Sequence, residues 1–240
     1  MSYISLDSST SSTTVVVFDK DLNIQKKFQK EHRQIHTSEG FVEHDLEEIY
    51  NNLIELIKKA AEIAPDPQLI SITNQRETFT LFDKLTGKPV RNAVVWQCTR
   101  GEEICEKILN NKEYSELITQ KTGLKANTFF SASKLKWVIE NEPHIKEGLI
   151  KGNILFGTVD TYLLYRLTKC KEYATDTTNA SRTLLFNCID NRWDNELFSI
   201  FEIEQFKLAD VKASSSNFGS SNFENIFLKE IPISGVAGDA

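Results

Sequence analysis

No run of basic residues, no long apolar segment and no closely spaced pair of cysteines occurs in this chain of 240 residues. Each absence argues against a class of function. The 28 Lys and Arg are outnumbered by 34 Asp and Glu, for a formal net charge of −6. That balance disfavours a nucleic-acid surface, because phosphate backbones select a basic face. No block of like charge suggests a polyelectrolyte tail. The opening Met1-Ser2-Tyr3-Ile4-Ser5 lacks the basic and apolar regions of a secretory signal. No apolar stretch approaches the roughly 20 residues that span a bilayer, so membrane insertion is not expected. Cys98, Cys105, Cys170 and Cys188 form no CxxC pair. Their spacing fits neither a disulfide framework nor a zinc site, and it suits a reducing cytoplasm with the thiols in the core or on helix faces.

What is present reads as one α/β domain. Residues 3–6 form a short apolar strand, residues 7–12 a polar turn, and residues 13–18 a β-branched strand. Asp19-Lys20-Asp21 turns the chain into a third strand over residues 22–30. Asp45, followed three residues later by Glu48, is a capping-box pattern. The helix it opens carries Ile49, Leu53, Leu56, Ile57 and Ala60 on one stripe and stops before Pro65 and Pro67. Strands follow at residues 69–73, 78–82 and 94–96, then mostly helix over residues 100–149. The pattern predicts a further amphipathic helix over residues 156–167, a loop over 213–224 and a strand over 231–236. No internal repeat or interdomain linker interrupts the chain, and the sheet is expected to be mixed rather than strictly parallel.

Three constellations carry chemistry. The turn Asp7-Ser8-Ser9-Thr10-Ser11-Ser12-Thr13-Thr14 offers one carboxylate and seven hydroxyls. Such a turn can cradle phosphate oxygens and place a carboxylate near Mg²⁺; it is equally the composition of a solvated loop. Asn74-Gln75-Arg76-Glu77-Thr78 sits between two strands. Its Arg76 and Glu77 either hold a polyhydroxylated ligand or make a local surface ion pair. Gly235-Val236-Ala237-Gly238-Asp239 lets the backbone pass close to a neighbour and ends on Asp239, a general base or a helix N-cap. His36, His44 and Asp45 are a weaker metal candidate, since capping already accounts for Asp45.

Several blocks, in order, resemble the glycerol kinases of the FGGY carbohydrate kinase family. They are Gly40-Phe41-Val42-Glu43-His44-Asp45, Ile72-Thr73-Asn74-Gln75-Arg76-Glu77-Thr78, Asn92-Ala93-Val94-Val95-Trp96-Gln97-Cys98 and Phe156-Gly157-Thr158-Val159-Asp160-Thr161. Residues 178–187 and 231–235 continue the match. The resemblance implies a mixed-sheet, actin- and hexokinase-like (ribonuclease H-like) ATPase lobe with inserted helices. Residues 1–240 would be the N-terminal, substrate-binding lobe, and the C-terminal nucleotide-binding lobe would lie outside the chain. It further implies ATP-dependent phosphorylation of glycerol to glycerol 3-phosphate, with ATP and Mg²⁺ as cofactors, and a homo-oligomer as an option for the full-length form.

The resemblance also implies roles. Arg76 and Glu77 would bind glycerol hydroxyls, with Trp96, Phe129 and Ala240 lining the same pocket. Asp239 would be both the catalytic base and a substrate contact. Asp7 would face Mg²⁺, while Ser9, Thr10, Ser11, Ser12 and Thr13 would line the phosphates. Three departures stand against the family pattern. Ser9 replaces a glycine, Thr14 replaces an arginine, and Phe129 replaces a tyrosine. The alternative is therefore a non-catalytic glycerol kinase homologue that binds or regulates, and the chain by itself is expected to lack activity.

Overall fold

The computed structural model describes residues 1–239. An antiparallel meander opens it: β1 (Ser2–Ser8), β2 (Ser12–Asp19) and β3 (Ile24–Glu31). The first connection is shorter than the sequence suggests. Asp7 pairs with Thr14 and Ser8 with Thr13 inside the ladder, which leaves residues 9–11 as the turn. Short strands β4 (Ile35–His36) and β5 (Val42–His44) lead into α1 (Leu46–Ala61). The Asp45 side chain accepts from the Glu47 and Glu48 amides, as the capping pattern requires. Glu48 does not return the bond, because its carboxylate pairs with Arg33 Nε at 3.0 Å. The predicted stripe on α1 is buried and packs on β2 and β3.

Next come β6 (Ile70–Asn74), β7 (Phe79–Asp83) and β8 (Ala93–Val94). Trp96, expected within a strand, lies beyond the end of β8. Four helices fill the stretch read as helical: α2 (Glu102–Asn110), α3 (Lys112–Thr122), α4 (Ser131–Asn141) and α5 (Pro143–Ile150). The helix expected over residues 156–167 divides into β9 (Ile154–Thr158) and α6 (Val159–Leu167). β9 pairs with β7 from Phe79–Thr158 to Asp83–Ile154, and that ladder claims the apolar residues at its head. α6 is buried on nearly every side, so it shows no amphipathic period to mark its start.

The remainder is short: β10 (Ala174–Asp176), α7 (Thr177–Ala180), β11 (Phe186–Asn187), β12 (Arg192–Trp193), α8 (Asn195–Phe201), β13 (Asp210–Lys212), β14 (Ser220–Ser221) and β15 (Ile231–Gly238). β14 interrupts the predicted loop, and β15 runs two residues further than expected.

Two sheets organise the molecule. The first is mixed, in the order β14-β15-β6-β1-β2-β3; the second is antiparallel, β4-β5-β8-β7-β9. Each has its own core. Leu6, Val15, Leu53, Ile72 and Tyr162 pack in one, and Phe79, Val95, Leu135 and Phe198 in the other. Residues 75–78 carry the chain from β6 in the first sheet to β7 in the second. Cys98 and Cys105 are buried and Cys170 half-buried; contrary to the expectation, Cys188 is exposed. All four are free thiols.

Candidate active site

Three parallel strands end side by side. Asn74, the last residue of β6, is level with Ser8 of β1 and Gly238 of β15. Asp7 and Asp239 therefore stand at adjoining carboxyl ends, where α/β sheets bind ligands. The Asp239 amide donates to the Asn74 carbonyl at 3.0 Å, and the Gly238 amide donates to Thr178 Oγ1 at 2.8 Å. Thr178 Oγ1 in turn donates to Asp176, whose carboxylate caps α7. The Asn74 side chain exchanges two hydrogen bonds with Asn179, at 2.9 and 3.1 Å. The strand tip is thus fixed from both sides.

Burial raises the Asp7 pKa above the usual carboxylate range. The Ser9 hydroxyl, which donates to Asp7 Oδ2 at 2.6 Å, opposes that shift, the Asp239 charge adds to it, and Lys27 opposes it more weakly. Asp7 Oδ1 is buried without a hydrogen-bond partner. Asp239 itself is exposed. Whether it caps a helix, and what Ala240 does, lie outside the described residues.

The crossing between the sheets is a tight turn. The Thr78 amide donates to the Arg76 carbonyl at 2.7 Å, and Glu77 adopts φ 63°, a region that costs a side chain with a Cβ. Arg76 and Glu77 are not the surface ion pair that adjacency allowed. Glu77 is 3% exposed and accepts from Arg182 Nε at 2.6 Å. Burial raises its pKa, while the Arg182, Arg76 and Lys134 charges pull it down. The Arg76 stem lies across Gly238, where a Cβ would stand 2.2 Å from Arg76 Cδ. Only glycine admits that approach. Arg76 Nε is buried without a partner.

An aromatic wall completes the cluster. The Trp96 and Phe129 ring centroids are 5.0 Å apart, and the Arg182 guanidinium lies 4.8 Å from the Phe130 centroid. Trp96 is tied to both neighbouring segments. Its amide donates to Thr78 Oγ1 at 3.1 Å, and its indole N–H donates to Thr10 Oγ1 at 2.9 Å. Gln75 accepts from Thr78 Oγ1 and donates to the Ser9 carbonyl at 3.2 Å. One polar network therefore joins the hydroxyl-rich turn, the crossing and the wall.

Within that turn, Ser9 and Thr10 are half-buried and Ser11 is exposed, while Ser12 and Thr13 are buried in the β2 ladder. Ser12 Oγ accepts from Gln29 at 2.9 Å, and Thr13 Oγ1 has no partner. His44 joins this network through Gln75. It is buried, its Nδ1 lies 3.3 Å from Gln75 Nε2, and it meets His32 edge-on at 4.9 Å. Burial, helped by His32, lowers its pKa to about 3. Among the described residues no group of three or more His, Cys, Asp or Glu side chains could hold a metal. Two members of the cluster escaped sequence reasoning. Arg182 is far from Glu77 in sequence, and Lys134 carries no local mark that separates it from a surface lysine.

Residues 2–240 match the model described as the FGGY family of carbohydrate kinases, N-terminal domain. The chain belongs to that family. Its FGGY relatives include glycerol kinase 2 of Thermotoga maritima, 46% identical over all of this chain and 49% of that protein. Glycerol kinase of Thermococcus onnurineus is 47% identical over 98% of this chain and 48% of its own length. The chain thus spans about half the length of the curated relatives it matches. Among solved structures, Plasmodium falciparum glycerol kinase with ADP superposes with a TM-score of 0.92 at 38% identity, over 99% of this chain and 48% of that one. Xylulose kinase from Lactobacillus acidophilus, at 20% identity and a TM-score of 0.88 over 99% of this chain and 48% of its own, shares the fold. The actin- and hexokinase-like expectation for the lobe holds.

Proposed function

We propose that this chain is the acceptor-binding half of an ATP-dependent kinase that converts glycerol to glycerol 3-phosphate. The observation that carries the proposal is the convergence of Asp239, Arg76 and Glu77 at the carboxyl end of the mixed sheet, across from Asp7. In this reading Arg76 Nε, buried and unpaired, donates to a glycerol hydroxyl, and Glu77 accepts from another. Trp96 and Phe129 exclude water along the carbon skeleton. Phe129 brings no hydroxyl, so it contributes contact area alone.

The Asp239 carboxylate takes the proton of the attacking hydroxyl. The new bond forms between that oxygen and the γ-phosphorus, the bond to the β–γ bridging oxygen breaks, and ADP leaves with the released charge. Ser9, Thr10, Ser11, Ser12 and Thr13 line the phosphates, the turn residues 9–11 meeting them directly and the buried Ser12 and Thr13 holding the turn from behind. Asp7 fits an Mg²⁺ ion held partly through water, because its Oδ1 is unpaired and a second carboxylate lies nearby. The metal would neutralise charge on the phosphate oxygens. The four free thiols agree with a reducing cytoplasm as the compartment.

One observation favours the alternative of a binding or regulatory homologue. The Ser9 hydroxyl occupies Asp7 Oδ2, the carboxylate intended for the metal. The deciding measurement is glycerol-dependent ADP release by a form spanning the full length of the relatives, as wild type and as Asp239→Asn. The kinase reading requires turnover in the wild type and a loss of at least about 10²-fold in kcat in the variant, with glycerol affinity nearly unchanged. Glycerol binding without turnover would establish the binding homologue instead. Near-normal kcat in Asp239→Asn would remove that residue from the base role.

A further inference from the structure

We propose that Lys134 is a positioning residue for the acceptor pocket, its ammonium group holding the Trp96 and Phe129 segments together through their backbone carbonyls. The proposal rests on the reading that Trp96 and Phe129 line that pocket. Lys134 is wholly buried. Its Nζ donates to the Val95, Trp96 and Phe129 carbonyls at 3.3, 3.1 and 3.2 Å. An ammonium group has three protons to donate, so the three carbonyls use its full capacity.

The site is a poor one for a cation on every other ground. Lys134 stands in the first turn of α4, where the helix dipole disfavours positive charge. None of its described contacts is an ion pair; the groups acting on its charge are Glu77 and the Cys98 and Cys105 thiols. Burial lowers its pKa to about 7. A methionine of similar length would fill the space without desolvating a charge. What methionine lacks is donors for three carbonyls. Two of those carbonyls belong to the segment leaving β8, and the third belongs to the turn before α4, so one side chain sets the spacing of the two wall residues. Gly101 allows the close approach this needs. At φ 83° it lies against α4, where a Cβ would come within 2.5 Å of the Ser133 carbonyl.

The test uses the full-length protein with ¹⁵N-labelled tryptophan. The Trp96 indole resonance is assigned by its loss in Trp96→Phe, and glycerol is titrated into wild type, Lys134→Met and Arg76→Ala. Lys134→Met is expected to fold, to shift the Trp96 indole signal, and to weaken glycerol binding by about tenfold, since small misplacements of pocket walls carry large penalties. A folded Lys134→Met with wild-type indole shift and glycerol affinity overturns the proposal. Should that variant fail to fold, Lys134→Gln decides: its shorter side chain keeps two N–H donors but cannot serve all three carbonyls, so a moved Trp96 indole signal and weaker glycerol binding are again expected. A folded Lys134→Gln with wild-type indole shift and glycerol affinity overturns the proposal. Arg76→Ala separates the two failures. If it leaves affinity intact, the acceptor-site reading itself falls; if it weakens binding while Lys134→Met does not, only the positioning role falls.

Discussion

Glu77 shows how much one residue in the crossing is asked to do. Its backbone is held at φ 63° and its carboxylate is buried, so it needs a strong partner. Arg182 supplies that partner from a segment 105 residues away in sequence. Removing it leaves a buried carboxylate with only the more distant charges of Arg76 and Lys134. Arg182→Ala is therefore expected to lower the unfolding free energy by about 2–3 kcal/mol, the penalty for a buried charged acceptor without its donor. Urea melts measure the loss, and a change under about 0.5 kcal/mol would mean that water replaces the guanidinium easily. The Glu77 pKa, followed by carboxyl NMR, should rise further in the same variant.

At the scale of elements, α1 is the clearest case of local sequence deciding local structure. Asp45 caps it, Glu47 and Glu48 occupy its first turn, and Lys58 and Lys59 occupy its last. Each choice agrees with the direction of the helix dipole. Asp45→Ala should cost about 1 kcal/mol, the usual effect of losing an N-cap, with little change in glycerol binding. Thermal unfolding monitored by circular dichroism tests this; an unchanged melting temperature would show that tertiary packing alone holds the helix start. β9 and α6 are the opposite case. Residues 156–167 are buried almost throughout, the polar Thr158, Asp160 and Thr161 included, so neither period 2 nor period 3.6 marks one face. The ladder with β7 decides where the strand stops.

Across the whole molecule, buried titrating groups set the response to acid. His44 has a folded pKa of about 3 against an ordinary value of 6.5. Between those values the unfolded chain binds more protons than the folded one. Stability therefore falls as pH drops below about 6.5, by at most about 1.4 kcal/mol per unit from this residue. His32 is shifted in the same direction. Asp160 acts in the opposite sense. Burial raises its pKa to about 6, so between its ordinary 3.8 and that value the folded state holds the extra proton and stability rises as pH falls. The difference between wild type and His44→Asn isolates the histidine. Urea melts at pH 7 and pH 5 should show a loss on acidification that is smaller in the variant by up to about 2 kcal/mol. Equal losses in the two proteins would mean that His44 is hydrated or already exchanging its proton in the folded state.

The sequence by itself determined the strand–strand–strand–helix opening, the α1 cap and stripe, and the segments that meet at the site. These depend on periodicity, turn chemistry and motif order, all of which act over a few residues. It also placed Arg76, Glu77 and Asp239 in segments bordering strands, whereas Asp7, read as turn, lies near the end of β1 and Trp96, read as strand, lies past the end of β8. Only the tertiary structure decided their partners. The parallel alignment of β1, β6 and β15 brings Asp7 to Asp239, and the placement of α4 beside the segment after β8 brings the Lys134 ammonium to the Val95 and Trp96 carbonyls. Folding also pairs Glu77 with the distant Arg182, which follows α7, instead of its neighbour Arg76. The physical reason is that pairing between sheets and burial of charge depend on surfaces far apart in the chain, and no local pattern encodes them.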